Sequence, residues 1–176
     1  MNDHEIILSL RGISKIFPGV KALDTVSFDV RPGEVHALMG ENGAGKSTLM
    51  KVLAGLYHPD AGSIIHKGEN VEIRNPLEAR ARGILLIHQE LSLSPELSVA
   101  ENIFLGAWPT NAMGVLKKRK LNRDASAALT AMGCDFGPKT RVGSLSIAKK
   151  QMVEIARAQA FNANVVIFDE PTASLT

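Results

Sequence analysis

Several things are scarce in this chain, and each shortage closes off a class of function. It holds a single cysteine, Cys134, so no internal disulfide framework can form, which fits a reducing compartment. Cys134 follows Met132-Gly133 at an expected helix end and reads as a packing residue rather than a nucleophile. No apolar run approaches the roughly 18 residues needed to cross a bilayer. The amino terminus carries Asp3 and Glu5 where a secretory signal would carry basic residues. Lys and Arg total 20 against 18 Asp and Glu, a net charge of +2, which makes no case for a broad nucleic-acid surface. Internal repeats and low-complexity segments are lacking too. With 176 residues, 45 % of them hydrophobic, the expectation is one domain with a proper core and room for subdomains.

What is present is concentrated in one stretch. Gly40-Glu41-Asn42-Gly43-Ala44-Gly45-Lys46-Ser47-Thr48 has the spacing of a phosphate-binding loop. Glycines let the backbone curl so that successive amides face a row of phosphate oxygens. Lys46 is placed to reach the outer phosphates, Ser47 offers a hydroxyl to a magnesium ion, and the following helix turns its positive end to the anion. The context agrees. Residues 34–39 form a short apolar run expected to be a buried strand. Leu49, Val52, Leu53 and Leu56 then fall at helical spacing, with Gly55 as a stop.

Around this loop the chain alternates in character. Residues 6–10 and 26–30 read as strands, the second alternating apolar and polar as suits an antiparallel sheet with one wet face. Between them, Phe17 precedes a Pro18-Gly19 turn and reads equally as a stacking surface for a base or as core. Residues 63–73 read as a hairpin. Asn75-Pro76 opens a helix ended by Gly83, and residues 84–87 form an apolar strand delivering His88, Gln89 and Glu90 at its carboxyl end, the edge where open α/β sheets bind ligands. Residues 91–143 look helical and inserted. Leu121, Ala125, Ala128, Leu129 and Met132 share one helical face. The run Lys117-Lys118-Arg119-Lys120 is short and lacks interleaved aromatics, so a solvated helix start is preferred to an anion patch. Ser146 stands as an N-cap before a helix with Met152, Ile155, Ala156 and Gln159 at core spacing. Residues 165–168 form a strand ending in Asp169 and Glu170, which point to opposite faces. Asp169 suits the magnesium ion, and Glu170 is placed to polarise a water for attack on the terminal phosphate.

These residues resemble the ATP-binding cassette ATPases of transporters over the whole chain. Five landmarks match in order: Phe17 as the adenine-stacking aromatic, Gly40 to Thr48 as the phosphate loop, Gln89 as the glutamine-loop residue, Leu145-Ser146 opening the signature, and Asp169-Glu170 closing the Walker B strand. Residues 17–23 and 40–46 are similar to bacterial monosaccharide importers of the ribose, galactose and xylose type, which carry two fused cassettes.

The resemblance implies an α/β fold: a RecA-like phosphate-loop core (34–59, 76–90, 160–176), an antiparallel β subdomain (1–33, 60–75) and an inserted helical subdomain (91–159). It implies ATP and Mg2+ as cofactors, with Ser47, Gln89 and Asp169 toward the metal and Lys46, Gln89 and Glu170 as catalytic groups. It implies a second cassette, whose nucleotide Ser146 would serve, and a membrane permease docked near residues 89–107, with a periplasmic sugar-binding protein acting indirectly and no nucleic acid. The location implied is peripheral, on the cytoplasmic face of the bacterial inner membrane. Two departures stand out. Where the family has Leu-Ser-Gly-Gly-Gln, this chain has Leu145-Ser146-Ile147-Ala148-Lys149, and Ile147 and Ala148 restrict close backbone approach to a phosphate. All five histidines, His4, His36, His58, His66 and His88, lie upstream of the Walker B strand, so the expectation is a cassette truncated before its switch histidine. The alternatives left open are a binding module with negligible hydrolysis and a soluble cassette ATPase outside transport.

Overall fold

The computed structural model describes residues 6–87 and 92–169. They fall into two compact units, one built from residues up to Leu86 together with Asn164–Asp169, the other from Ile87–Ala163.

The first unit begins with an antiparallel sheet of β1 (Leu8–Phe17), β2 (Val20–Val30), β3 (Ala61–His66) and β4 (Glu69–Val71), in the order β2-β1-β3-β4. β1 and β2 form one long hairpin, Leu8 opposite Val30 and Phe17 opposite Val20, so the strands expected over 6–10 and 26–30 both extend to the Pro18-Gly19 turn. β3 and β4 turn through Lys67 and Gly68, both at positive φ, the twist that suits a two-residue hairpin. Leu8, Leu10, Ile13 and Ile64 are buried on one face, and Val26, Phe28 and Val30 pack partly against them.

The core is completed by α1 (Lys46–Leu53), α2 (Pro76–Ala81), β5 (Ile84–Ile87) and β6 (Val165–Phe168). Leu49, Met50, Val52 and Leu53 supply the buried face of α1. The helix stops at Gly55, φ 71°, as the expected capping glycine, while Leu56 is left exposed. Asn75 caps α2 by accepting from the Glu78 amide at 2.9 Å, with Pro76 in the first turn where its missing N–H costs nothing. β5 and β6 form a two-stranded sheet whose starts meet: the amides of Asn164 and Val165 both donate to the Gly83 carbonyl, so the strands run parallel.

Residues 34–39 differ from expectation. They form no strand, and Val35 and Met39 are 97 % and 93 % exposed. An apolar run becomes a buried parallel strand only with ladder partners at its edges, and no strand pairs with it among the described residues. Local contacts hold it instead. The Glu34 carboxylate accepts from the Arg31 amide at 2.8 Å and bonds His36 Nδ1 at 3.0 Å, and the His36 ring stacks on Phe28 at 4.9 Å.

The second unit packs α3 (Val99–Ile103), α4 (Lys118–Ala131) and α5 (Ile147–Ala160) around Val99, Ile103, Leu121, Ala125, Leu129 and Val153. Ser98 and Glu101 form a capping box on α3. The face expected for α4 is the buried one, except that Met132 is only partly buried. For α5 the stripe is shifted: Val153, Glu154, Ala156 and Ala158 are buried, while Ile155 is exposed. Charge misled the sequence pattern here, because Glu154 is buried by pairing. It accepts from Ser92 Oγ at 3.2 Å and faces Arg157 at 3.5 Å.

Candidate phosphate-binding site

The loop over residues 40–45 seats itself by backbone shape. Gly43 and Gly45 adopt φ 86° and 88°, a region that side-chain-bearing residues rarely enter. A side chain on Gly45 would overlap the Ala22 carbonyl oxygen and crowd Leu23. The loop therefore lies directly against β2, two residues past the strand's start. α1 begins at Lys46 with no side-chain cap, so the orphan amides of its first turn are available to an anion. Lys46 Nζ donates to the carbonyls of Gly40 at 2.7 Å and Glu41 at 2.9 Å, which keeps the ammonium at the loop's mouth.

The end of β6 meets the start of α1. Ser47 Oγ donates to Asp169 Oδ1 at 3.3 Å, across 122 residues of sequence. A hydroxyl beside a carboxylate is a hard-oxygen donor pair, the kind that suits Mg2+, which takes one or two protein ligands and fills its remaining positions with water and phosphate. Among the described residues no cluster of three His, Cys, Asp or Glu side chains competes as a metal centre.

Two polar anchors set the flanks. His66, buried at the end of β3, bonds Asn164 Oδ1 through Nε2 at 3.1 Å, which ties the antiparallel sheet to the start of the strand carrying Asp169. Burial pushes the His66 imidazole below its usual value. Asp60 accepts from the Ile16 amide at 2.6 Å and the Lys15 ammonium at 2.9 Å, and these two bonds, the backbone one foremost, hold its carboxyl below the usual carboxylate range. They fix the end of β1 and with it Phe17. The Phe17 ring is half-buried and meets Tyr57 edge-on, centroids 5.2 Å apart.

In the second unit Ser146 is the N-cap of α5, accepting from the Lys149 amide at 3.4 Å. Lys149 Nζ bonds Asp135 at 2.7 Å, so the charge that departs from the family pattern is paired. Gln89 and Glu170 lie outside the described residues. Tyr57, His66 and Asn164 were not singled out from the sequence. A lone tyrosine after Gly55 and a histidine closing an apolar strand gave a faint signal at most, and Asn164 gave none.

A glycine loop between sheet and helix, a lysine at its mouth and a strand-end aspartate on the loop's serine define a phosphate-loop nucleotide-binding fold. The family model of the ABC transporter matches residues 23–173, and the chain belongs to that family. It is 54 % identical over 174 residues to a putative ribose/galactose/methyl galactoside import ATP-binding protein 1 of Agrobacterium fabrum, covering 99 % of this chain and 34 % of that protein. It is 57 % identical over 175 residues to the corresponding protein 2 of Burkholderia cenocepacia, covering 99 % and 34 %. An ATP-binding cassette of an ABC transporter solved in its ADP conformation superposes with a TM-score of 0.83 at 28 % identity, covering 98 % of this chain and 71 % of that one. A nucleotide-free cassette gives 0.80 at 29 %, covering 97 % and 71 %. The chain thus spans about a third of the length of the curated relatives it matches.

Proposed function

We propose that the chain is the ATP-binding and ATP-hydrolysing part of an assembly that imports a sugar across a membrane. The observation that carries the reading is the Ser47–Asp169 contact, because it joins the phosphate loop to the end of a distant strand at one point. In this reading the amides of residues 40–48 cradle the phosphates, Lys46 counters the outer ones, and Phe17 takes the adenine ring. Ser47 and Asp169 would hold Mg2+, which when bound neutralises phosphate charge; Gln89 would join them. Glu170 polarises the attacking water. The antiparallel sheet, the phosphate-loop core and the helical block act as three subdomains. The names of the import ATP-binding relatives support sugar as the cargo class.

Partners follow from the same reading. Ser146, at the start of α5, serves the nucleotide of a second cassette, so turnover needs a pair. A permease docks near residues 89–107, a periplasmic sugar-binding protein acts through it, and the cassette sits peripherally on the cytoplasmic face of the inner membrane. No described helix is long and apolar enough to cross a membrane. Ile147 and Ala148 in the signature, with Ile147 exposed, favour one subsidiary reading: the isolated chain binds ATP and releases phosphate negligibly. The test is nucleotide titration of the purified chain, followed by phosphate release with and without its permease. Binding with turnover only in the assembly is expected, and failure to bind ATP sinks the proposal.

A further inference from the structure

Beyond the nucleotide chemistry, a surface of the helical unit remains unexplained. Between α3 and α4 the chain makes a small hairpin closed by the Thr110–Leu116 bridge. The Asn111 amide donates to the Val115 carbonyl at 2.9 Å and the Lys117 amide to the Pro109 carbonyl at 2.8 Å. Asn111 Oδ1 accepts from the amides of Met113 and Val115 at 3.0 and 2.9 Å, so the tip is preformed by its own polar groups. Its side chains are apolar nonetheless: Met113 is 84 % exposed and Val115 60 %. Trp108 lies at the base, 40 % exposed, its ring held by Nε1 donating to the Glu101 carbonyl at 3.0 Å.

Directly after the hairpin come Lys117, Lys118, Arg119 and Lys120, all exposed. Lys120 pairs with Asp124; the other three have no ion pair among the described residues. Lys118 adds a distant charge to the Ser98 hydrogen bonds that hold the Glu101 carboxyl below its usual range, but none of the three favours the helix they open. α4 has no acid in its first turn and no side-chain cap, and cations there oppose the helix dipole. A locally unfavourable run beside an exposed apolar tip asks for something outside the fold.

We infer that the Trp108–Lys120 surface is a contact for an anionic lipid bilayer. An apolar tip with an amphipathic indole at its base enters the headgroup boundary, and the adjacent cations meet the negative surface. A projecting tip fits a lipid surface better than a partner helix, which needs a groove to lie in. The contact requires no nucleotide, so it stands apart from the ATPase reading.

Trp108 is the only tryptophan in the chain, which makes its emission a direct reporter. The purified protein is mixed with phosphatidylcholine vesicles, with and without phosphatidylglycerol. Expected are co-sedimentation and a blue shift of Trp108 only with the anionic vesicles, both weakened by salt. Reversing Lys117, Lys118 and Arg119 together to glutamate lowers partitioning by at least about tenfold. Met113→Asp reduces the blue shift, and Lys46→Ala leaves both readouts unchanged. Both surface variants alter exposed side chains, and an unchanged circular dichroism spectrum verifies their folding. Equal binding to both vesicle types, or partitioning indifferent to the charge reversal, overturns the inference. So does retention only by membranes containing the permease, which assigns the surface to a protein partner.

Discussion

The two units hold their important groups by different means. In the first, position is a matter of main chain: glycines at positive φ shape the loop, strand ends deliver Asp169, and the Gly83 carbonyl gathers the start of β6. In the second, side chains do the holding. Asn102, fully buried, accepts from the Ser94 amide at 2.8 Å and donates toward the carbonyls of Ser94, Leu97 and Ser98. Its own carbonyl takes a bond from Arg157 at 2.9 Å, and Arg157 faces the buried Glu154. Backbone devices tolerate side-chain change except where a Cβ has no room; a buried polar network fails when any member is truncated.

Breaking the first unit's chemistry gives the largest expected effect. On the proposed reading, Lys46→Ala should lower ATP turnover of the assembly by at least a hundred- to a thousandfold, in the range known for loss of a charge-stabilising donor. Thermal unfolding should barely move, because the lysine bonds only exposed loop carbonyls. Turnover unchanged in this variant would remove the loop from the mechanism. Next comes the second unit's network. Asn102→Ala strands several buried backbone groups and should cost about 3 kcal/mol, read by urea denaturation, with hydrogen exchange accelerated in residues 92–104. If exchange quickens equally in β1 to β4, the division between the units fails.

Smaller again is Ser98→Ala, which removes half of the α3 capping box and should cost about 1 kcal/mol in the same denaturation assay. The smallest expected effect is one of pH. His66 has its pKa lowered from 6.5 by burial, so the unfolded chain takes up a proton first. Stability contributed by the neutral ring is present above pH 6.5 and is lost as pH falls from there toward the depressed folded value. His66→Gln, which keeps a donor toward Asn164, should flatten that slope. The described part of the second unit contains no histidine, so segment-resolved exchange between pH 7 and 5 should loosen the first unit selectively. Equal loosening of both would contradict the assignment.

The same division governs what could be read from the residues alone. The phosphate loop, the cap at Asn75, the stop at Gly83 and the strand ending in Asp169 are written in glycine, proline and apolar runs whose local physics is strong. The Ser47–Asp169 contact follows from those elements once their order is known. Residues 34–39 misled because an apolar run states an appetite for burial, not which strands will satisfy it. The buried stripe of α5 misled because Glu154 and Arg157 look like surface residues until Ser92 and Asn102 are placed beside them. Pairings of that kind join positions tens of residues apart through ordinary residue types, and no local pattern announces them.

The parallel arrangement of β5 and β6 has a topological corollary. Side-by-side strands pointing the same way cannot be closed by a tight turn; they need a crossover connection, and about a dozen residues suffice for it. Here the stretch of sequence between the two strands holds all the helices of the second unit. A connection that chain geometry alone would keep short has become a module with its own buried core.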